Sequence, residues 1–135
     1  MAEPSDDDIL HEVTDGVAWI TLNRPDKGNA LTPDQRDGLI ELLAEASETL
    51  TTRAVVLRST GRHFCTGADL SVPRTAPERP EGAPDRAVGD AGRMIAWGAQ
   101  RLSAAVLDCE TPGLASLTGT AAGNGAHLAL AADLG

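Results

Sequence analysis

The first strong signal along this chain is a pair of short apolar runs. Ile9-Leu10-His11-Glu12-Val13 and Val17-Ala18-Trp19-Ile20-Thr21-Leu22 flank Thr14-Asp15-Gly16. Asp-Gly between two such runs predicts a β-hairpin, and Arg24-Pro25 ends its second strand. From residue 32 to residue 50 the spacing becomes helical. Leu39, Leu42, Leu43, Ala46 and Leu50 fall on one stripe expected to be buried. The start of this helix is well marked: Thr32 can cap, Pro33 suits the first position, and Gln35 completes a capping box. The run 54–58 (Ala54-Val55-Val56-Leu57 and Arg58) reads as a buried strand. Strand, helix and strand in that order predict a parallel crossover, right-handed by default.

Beyond residue 72 the pattern lapses. Pro73, Pro77, Pro80 and Pro84 alternate with Arg, Glu and Gly up to Gly92, which predicts a long loop of the kind that is often functional. A second helix is expected over 86–109, with Met94, Trp97, Leu102, Ala105 and Val106 on its buried face. Thr111-Pro112 breaks it. Residues 113–117 then read as a strand and 126–132 as a last helix. The organisation expected is an acidic tail over 1–8 and one α/β domain portion over 9–135, with no internal repeat.

Two turns rich in small residues stand out against this frame. One is Gly61-Arg62-His63-Phe64-Cys65-Thr66-Gly67-Ala68-Asp69-Leu70, directly after the strand at 54–58. The other is Gly119-Thr120-Ala121-Ala122-Gly123-Asn124-Gly125, after the apolar run at 114–117 and before a helical pattern. Small residues let a ligand approach the backbone, so that peptide N–H groups can point at it. Two turns of this type suggest an oxyanion hole, which stabilises charge developing on a carbonyl oxygen.

With these turns, the stretch Leu22-Asn23-Arg24-Pro25-Asp26-Lys27-Gly28-Asn29-Ala30-Leu31 completes a set of three motifs in order. The chain resembles the N-terminal half of the crotonase superfamily, the enoyl-CoA hydratase/isomerase family, over roughly residues 9–135. The resemblance implies a crotonase-like fold of stacked ββα units, cut before its C-terminal half. It also implies action on, or binding of, acyl-CoA thioesters through a backbone oxyanion hole, in fatty-acid metabolism. Coenzyme A would be part of the substrate, and no separate cofactor is expected.

Residue by residue, the resemblance puts the two oxyanion donors on the peptide N–H groups of Ala68 and Asn124, the second at a place where relatives commonly carry glycine. It lays Asp69, Leu70 and Ser71 along the acyl-CoA. Lys27, Asn29 and Ala30 fall on the stretch that borders the nucleotide and pantetheine, with a solvated turn lysine the plain alternative for Lys27. Arg24 and Arg62 are weaker phosphate candidates. Asp69 also has a plain alternative, capping a helix that follows it. His127 stands where hydratases of the family carry a catalytic glutamate; a histidine can act as acid or base near neutral pH, but it lacks a carboxylate's charge and acceptor-only geometry. His127 is therefore either catalytic or a residue lining the pocket. For Cys65 packing is expected rather than nucleophilic attack, and for Asp133 a structural hydrogen bond. The family continues past the matched region with a second acidic catalytic position and C-terminal helices that support trimers or hexamers.

Composition narrows the alternatives. The formal net charge of −9 argues against nucleic acid and against an anionic membrane. It also means that local Arg or Lys must hold an anionic CoA ester against the global field. No run is long enough to span a bilayer. The lone thiols Cys65 and Cys109, in a chain opening on Glu3, Asp6, Asp7 and Asp8 rather than an apolar signal, point to the cytoplasm. Three scattered histidines and two distant cysteines give no metal-ligand spacing. The rival readings are a catalytically lapsed acyl-CoA binder, a non-functional remnant, and a general nucleotide-binding domain. The last lacks the full glycine fingerprint after a first strand.

Overall fold

In the computed structural model, which describes residues 8–72, 80–84 and 87–135, the hairpin forms as its sequence predicts. Strands β1 (Ile9–Thr14) and β2 (Val17–Leu22) pair antiparallel, from Ile9 opposite Leu22 to Thr14 opposite Val17. Asp15 and Gly16 turn between them with φ of 52° and 80°, the left-handed geometry that a two-residue hairpin needs. The turn also seats the next strand, since the Gly16 carbonyl accepts from the N–H groups of Arg53 (2.7 Å) and Ala54 (3.3 Å). Along β2 the pleat sends Ala18, Ile20 and Leu22 into the core. Trp19 goes to the opposite face, where the Arg58 guanidinium lies 4.6 Å from its ring centroid.

Helix α1 (Pro33–Glu48) links β2 to β3 (Ala54–Ser59), and the two strands run parallel. The capping box is present: Thr32 Oγ1 accepts from the Gln35 N–H, and Gln35 Oε1 accepts from the Thr32 N–H at 3.0 Å. Leu39, Leu43 and Ala46 are buried and Leu42 is partly so, but the expected stripe does not reach Leu50. The helix ends at Glu48, and Leu50 lies beyond the cap at Thr49, 99% exposed.

The helix expected over 86–109 is two helices, α2 (Asp90–Trp97) and α3 (Ala99–Asp108). Gly98 breaks it, with φ −115° and ψ −95°. A Cβ there would sit 2.8 Å from the Met94 carbonyl and 2.7 Å from Arg36 Nη1, so the bend needs glycine. Leu102 and Val106 of α3 are buried as expected, whereas α2 buries no residue and Trp97 is 63% exposed. The first turn of α2 overlaps the expected loop. Of that loop, residues 73–79 and 85–86 lie outside the described residues, as do residues 1–7 of the expected acidic tail.

The short strand β4 (Gly113–Ala115) pairs parallel to β3 and completes a four-stranded sheet in the order β1-β2-β3-β4. Helix α4 (Asn124–Ala131) follows, and the chain returns beside β4 through a bridge between Leu114 and Leu134. Asp133 makes a structural hydrogen bond there, Oδ2 accepting from the Gly113 N–H at 2.8 Å. The core lies between the sheet and helices α1, α3 and α4, centred on Ile20, Leu39, Val55, Leu102 and Leu128.

Candidate functional site

Beyond β3 the chain dives inward: Phe64 and Cys65 are both fully buried. Asn29 fixes the outer side of this turn. It is buried with φ 54°, and its side-chain N–H groups donate to the carbonyls of Thr60 and His63, each at 2.8 Å. Its Oδ1 accepts from the Arg24 N–H at 2.7 Å. Gly67 then turns with φ 109°, and Ala68 forms a parallel bridge with Leu31. The Leu31 N–H donates to the Gly67 carbonyl (2.8 Å) and the Asp69 N–H to the Leu31 carbonyl (2.9 Å). In such a bridge the N–H of Ala68 itself faces away from Leu31. Among the described residues it has no hydrogen-bond partner.

The second turn is laid on the first. The Cys65 N–H donates to the Thr120 carbonyl (3.2 Å), and the Ala122 N–H donates to the Cys65 carbonyl (3.0 Å). Glycines bring the two backbones together. A Cβ on Gly125 would run into the Cys65 backbone and Cβ, and one on Gly119 into the Arg62 carbonyl. At the mouth, Gly67 faces Gly123, and a Cβ on Gly67 would sit 3.7 Å from the Asn124 nitrogen. Asn124 is the first residue of α4, where helix N–H groups lack intrahelical partners. Its N–H also has no partner among the described residues.

Ala68 and Asn124 line one cavity of about 550 Å³, within the usual range for small-molecule sites. Leu31, Asp69, Met94 and Trp97 share its wall. The side of α1 contributes Arg36, whose guanidinium lies against Gly98 and is held by Asp37 Oδ1 at 3.0 Å.

Asp69 and Ser71 sit together at the rim. Asp69 Oδ1 accepts from the Ser71 Oγ–H (2.6 Å) and N–H (2.9 Å), while Oδ2 pairs with Arg24 Nη2 at 3.0 Å. These Ser71 hydrogen bonds, with Arg24 behind them, lower the Asp69 carboxyl to about 2. Asp69 thus closes a turn over Ser71 and, among the described residues, caps no helix. Arg24 is a brace and not a free phosphate ligand. Its Nη1 also donates to the Ala30 carbonyl at 2.8 Å, so one side chain ties β2, the Asn29-Ala30 turn and the rim. The local sequence carries no signal for this role.

The other expected site residues separate. Lys27 ends an exposed 3-10 turn, Pro25–Lys27, and Leu70 is 82% exposed; neither lines the cavity. His127 is exposed on α4 and is not part of the cavity wall. Burial pushes the Cys65 thiol up, only partly offset by a backbone hydrogen bond at Gly67, so it is protonated at neutral pH and serves packing. Among the described residues no His, Cys, Asp and Glu cluster has the makings of a metal site. None of the described helices is long and apolar enough to cross a membrane.

The sequence model of the enoyl-CoA hydratase/isomerase family matches residues 12–135. A probable enoyl-CoA hydratase of Rhodobacter capsulatus is 37% identical over 126 residues, which cover 93% of this chain and 44% of that protein. The 1,2-epoxyphenylacetyl-CoA isomerase of Escherichia coli is 33% identical over 126 residues, 93% of this chain and 45% of its own. Among solved structures, a probable enoyl-CoA hydratase of Mycobacterium smegmatis superposes with a TM-score of 0.79 at 28% identity, over 94% of this chain and 47% of that one. The chain thus spans less than half the length of these relatives. Its stacked turns, its sheet and its sequence agree, and the chain belongs to the enoyl-CoA hydratase/isomerase family, with the crotonase-like fold.

Proposed function

We propose that the chain binds an acyl-CoA thioester, the N–H groups of Ala68 and Asn124 both donating to the thioester carbonyl oxygen. One observation carries this reading: Ala68 and Asn124, on different turns and each with an N–H unpartnered among the described residues, line the same cavity, and glycine at 67 leaves free a position 3.7 Å from the Asn124 nitrogen. Such a pair polarises the carbonyl and stabilises an enolate-like intermediate, the common step of hydration and double-bond isomerisation. Asp69, braced by Ser71 and Arg24, holds the rim beside Ala68, and Lys27, Asn29 and Ala30 border the path of the CoA moiety. Here Asn29 acts through the turn that it holds, since its side chain is fully bonded. The setting is acyl-CoA metabolism, fatty-acid breakdown included, in the cytoplasm, which suits the free thiols of Cys65 and Cys109.

Calorimetric titration with octanoyl-CoA and with CoA alone tests it, in the wild type and in Ala68→Pro. The expected result is that the acyl ester binds more tightly than CoA, and that proline at 68 removes the difference without changing CoA affinity. Equal binding of ester and CoA in the wild type would end the proposal.

A second reading, binding without turnover, is favoured by His127. It stands at the hydratases' glutamate position, yet it is exposed and off the cavity wall. His127→Glu discriminates: crotonyl-CoA hydration should rise sharply if the rest of the machinery works, and should stay at background in a lapsed binder.

A further inference from the structure

Aromatic side chains are scarce in this chain: one Phe, two Trp and no Tyr in 135 residues. Two of the three have evident structural work. Phe64 is wholly buried in the core, and Trp19 lies under the Arg58 guanidinium on the outer face of the sheet. The third, Trp97, is 63% exposed and lines the cavity that holds Ala68 and Asn124. It has no ring or cation partner among the described residues. Its helix, α2, buries no residue at all, so the indole is not exposed as a by-product of packing something else. Ile95, 53% exposed, and Met94 line the same wall from α2. Gly98 sets this wall in place by bending the chain directly after Trp97.

We infer that the cavity selects acyl groups that carry an aromatic ring, stacked on Trp97. This rests on the acyl-CoA reading above and adds the class of acyl group. An aliphatic chain gains from this wall only by covering apolar area, roughly in proportion to its size. An aryl group of equal carbon number covers somewhat less area but makes two further contacts. Its ring can stack offset on the indole, and its edge can meet the Met94 sulfur. Those contacts together correspond to about a tenfold preference over the aliphatic ester. The cavity, at about 550 Å³, has room for a phenyl group beside the thioester.

The test compares phenylacetyl-CoA with octanoyl-CoA, which has the same number of acyl carbons, and with CoA alone. Binding is measured by calorimetry in the wild type, Trp97→Ala and Trp97→Phe, with thermal melts confirming that each variant folds. The expected result is about tenfold tighter binding of the aryl ester by the wild type. Trp97→Ala should bring the ratio near one, and Trp97→Phe should retain most of it. Since the chain has two tryptophans, a Trp19→Phe background leaves Trp97 as the only indole, and its fluorescence should respond to phenylacetyl-CoA more than to CoA. If both esters bind more tightly than CoA but equally well, or if Trp97→Ala leaves the ratio unchanged, aryl selection is wrong and acyl-CoA binding stands. If neither ester exceeds CoA, both fall.

Discussion

Replacing Ala68 by proline separates a catalytic role of one backbone atom from its structural surroundings. The bridge to Leu31 uses the Gly67 carbonyl and the Asp69 N–H, not the N–H of Ala68. Proline therefore deletes the candidate donor without removing a backbone hydrogen bond. In any thioester reaction that the protein performs, kcat should fall about 10²–10³-fold while the melting temperature stays close to the wild type. A large loss of stability with kcat preserved in the folded fraction would contradict the assignment. Asp69 offers a second residue-scale test. The Ser71 hydrogen bonds, then Arg24, hold its carboxyl at about 2, whereas an unfolded aspartate titrates near ~3.9. The unfolded state thus binds more protons in this window, and stability rises with pH through it. The contribution is complete above roughly pH 5 and is lost as pH falls toward 2. Asp69→Asn should flatten the slope of urea-unfolding free energy between about pH 5 and pH 3. An unchanged slope would show that the Arg24–Asp69–Ser71 cluster does not stabilise the fold.

At the scale of elements, α1 and the paired turns respond in opposite ways to added methyl groups. Gly38 lies inside α1 with nothing within 4 Å of an added Cβ. Gly38→Ala should stabilise by about 0.5–1 kcal/mol, read from denaturant unfolding. Gly125→Ala meets the Cys65 backbone instead, so it should cost at least about 1–3 kcal/mol and abolish the acyl increment in CoA-ester binding. If Gly125→Ala bound the ester normally, the close stacking of the two turns would not be what shapes the site. These elements also show what a sequence can reveal. The hairpin was legible because Asp15-Gly16 has a local signature, and α1 because Thr32, Pro33 and Gln35 mark its start. The two turns were legible from their small residues. The α2–α3 break was not, because Gly98 looks like a tolerated helix glycine until Arg36 and Met94 are packed beside it. For the same reason Trp97 reads as a core residue: its spacing of three from Met94 is helical, but the chain bends at Gly98 directly after it and its side chain lines the cavity. Asn29 and Arg24 looked like ligand contacts, and only tertiary packing shows that their polar groups hold the turn together.

For the whole molecule, charge sets a test that no single residue can. The chain carries a formal charge of −9, and its proposed ligand is a polyanion. At long range the two repel; at short range the backbone N–H pair and the apolar wall attract, and the arginines on that wall, Arg36 and Arg93, are each paired with an aspartate, Asp37 and Asp90. Salt therefore acts mainly on the approach. Raising ionic strength from about 0.01 M to 0.15 M shrinks the screening length from about 30 Å to about 8 Å. The association rate constant for phenylacetyl-CoA, followed by stopped-flow quenching of Trp97 in the Trp19→Phe background, should increase over that range. The dissociation rate constant should hold nearly constant, since the contacts being broken lie inside the cavity. Affinity then strengthens with salt, the reverse of the behaviour of a site that captures phosphates with a basic patch. An association rate that falls with salt would place a cluster of Lys and Arg in control of CoA capture, with Lys27 and Arg62 the first to replace. A rate that rises would mean that this acidic chain recognises its ligand at the thioester and acyl end, where the two turns and Trp97 stand.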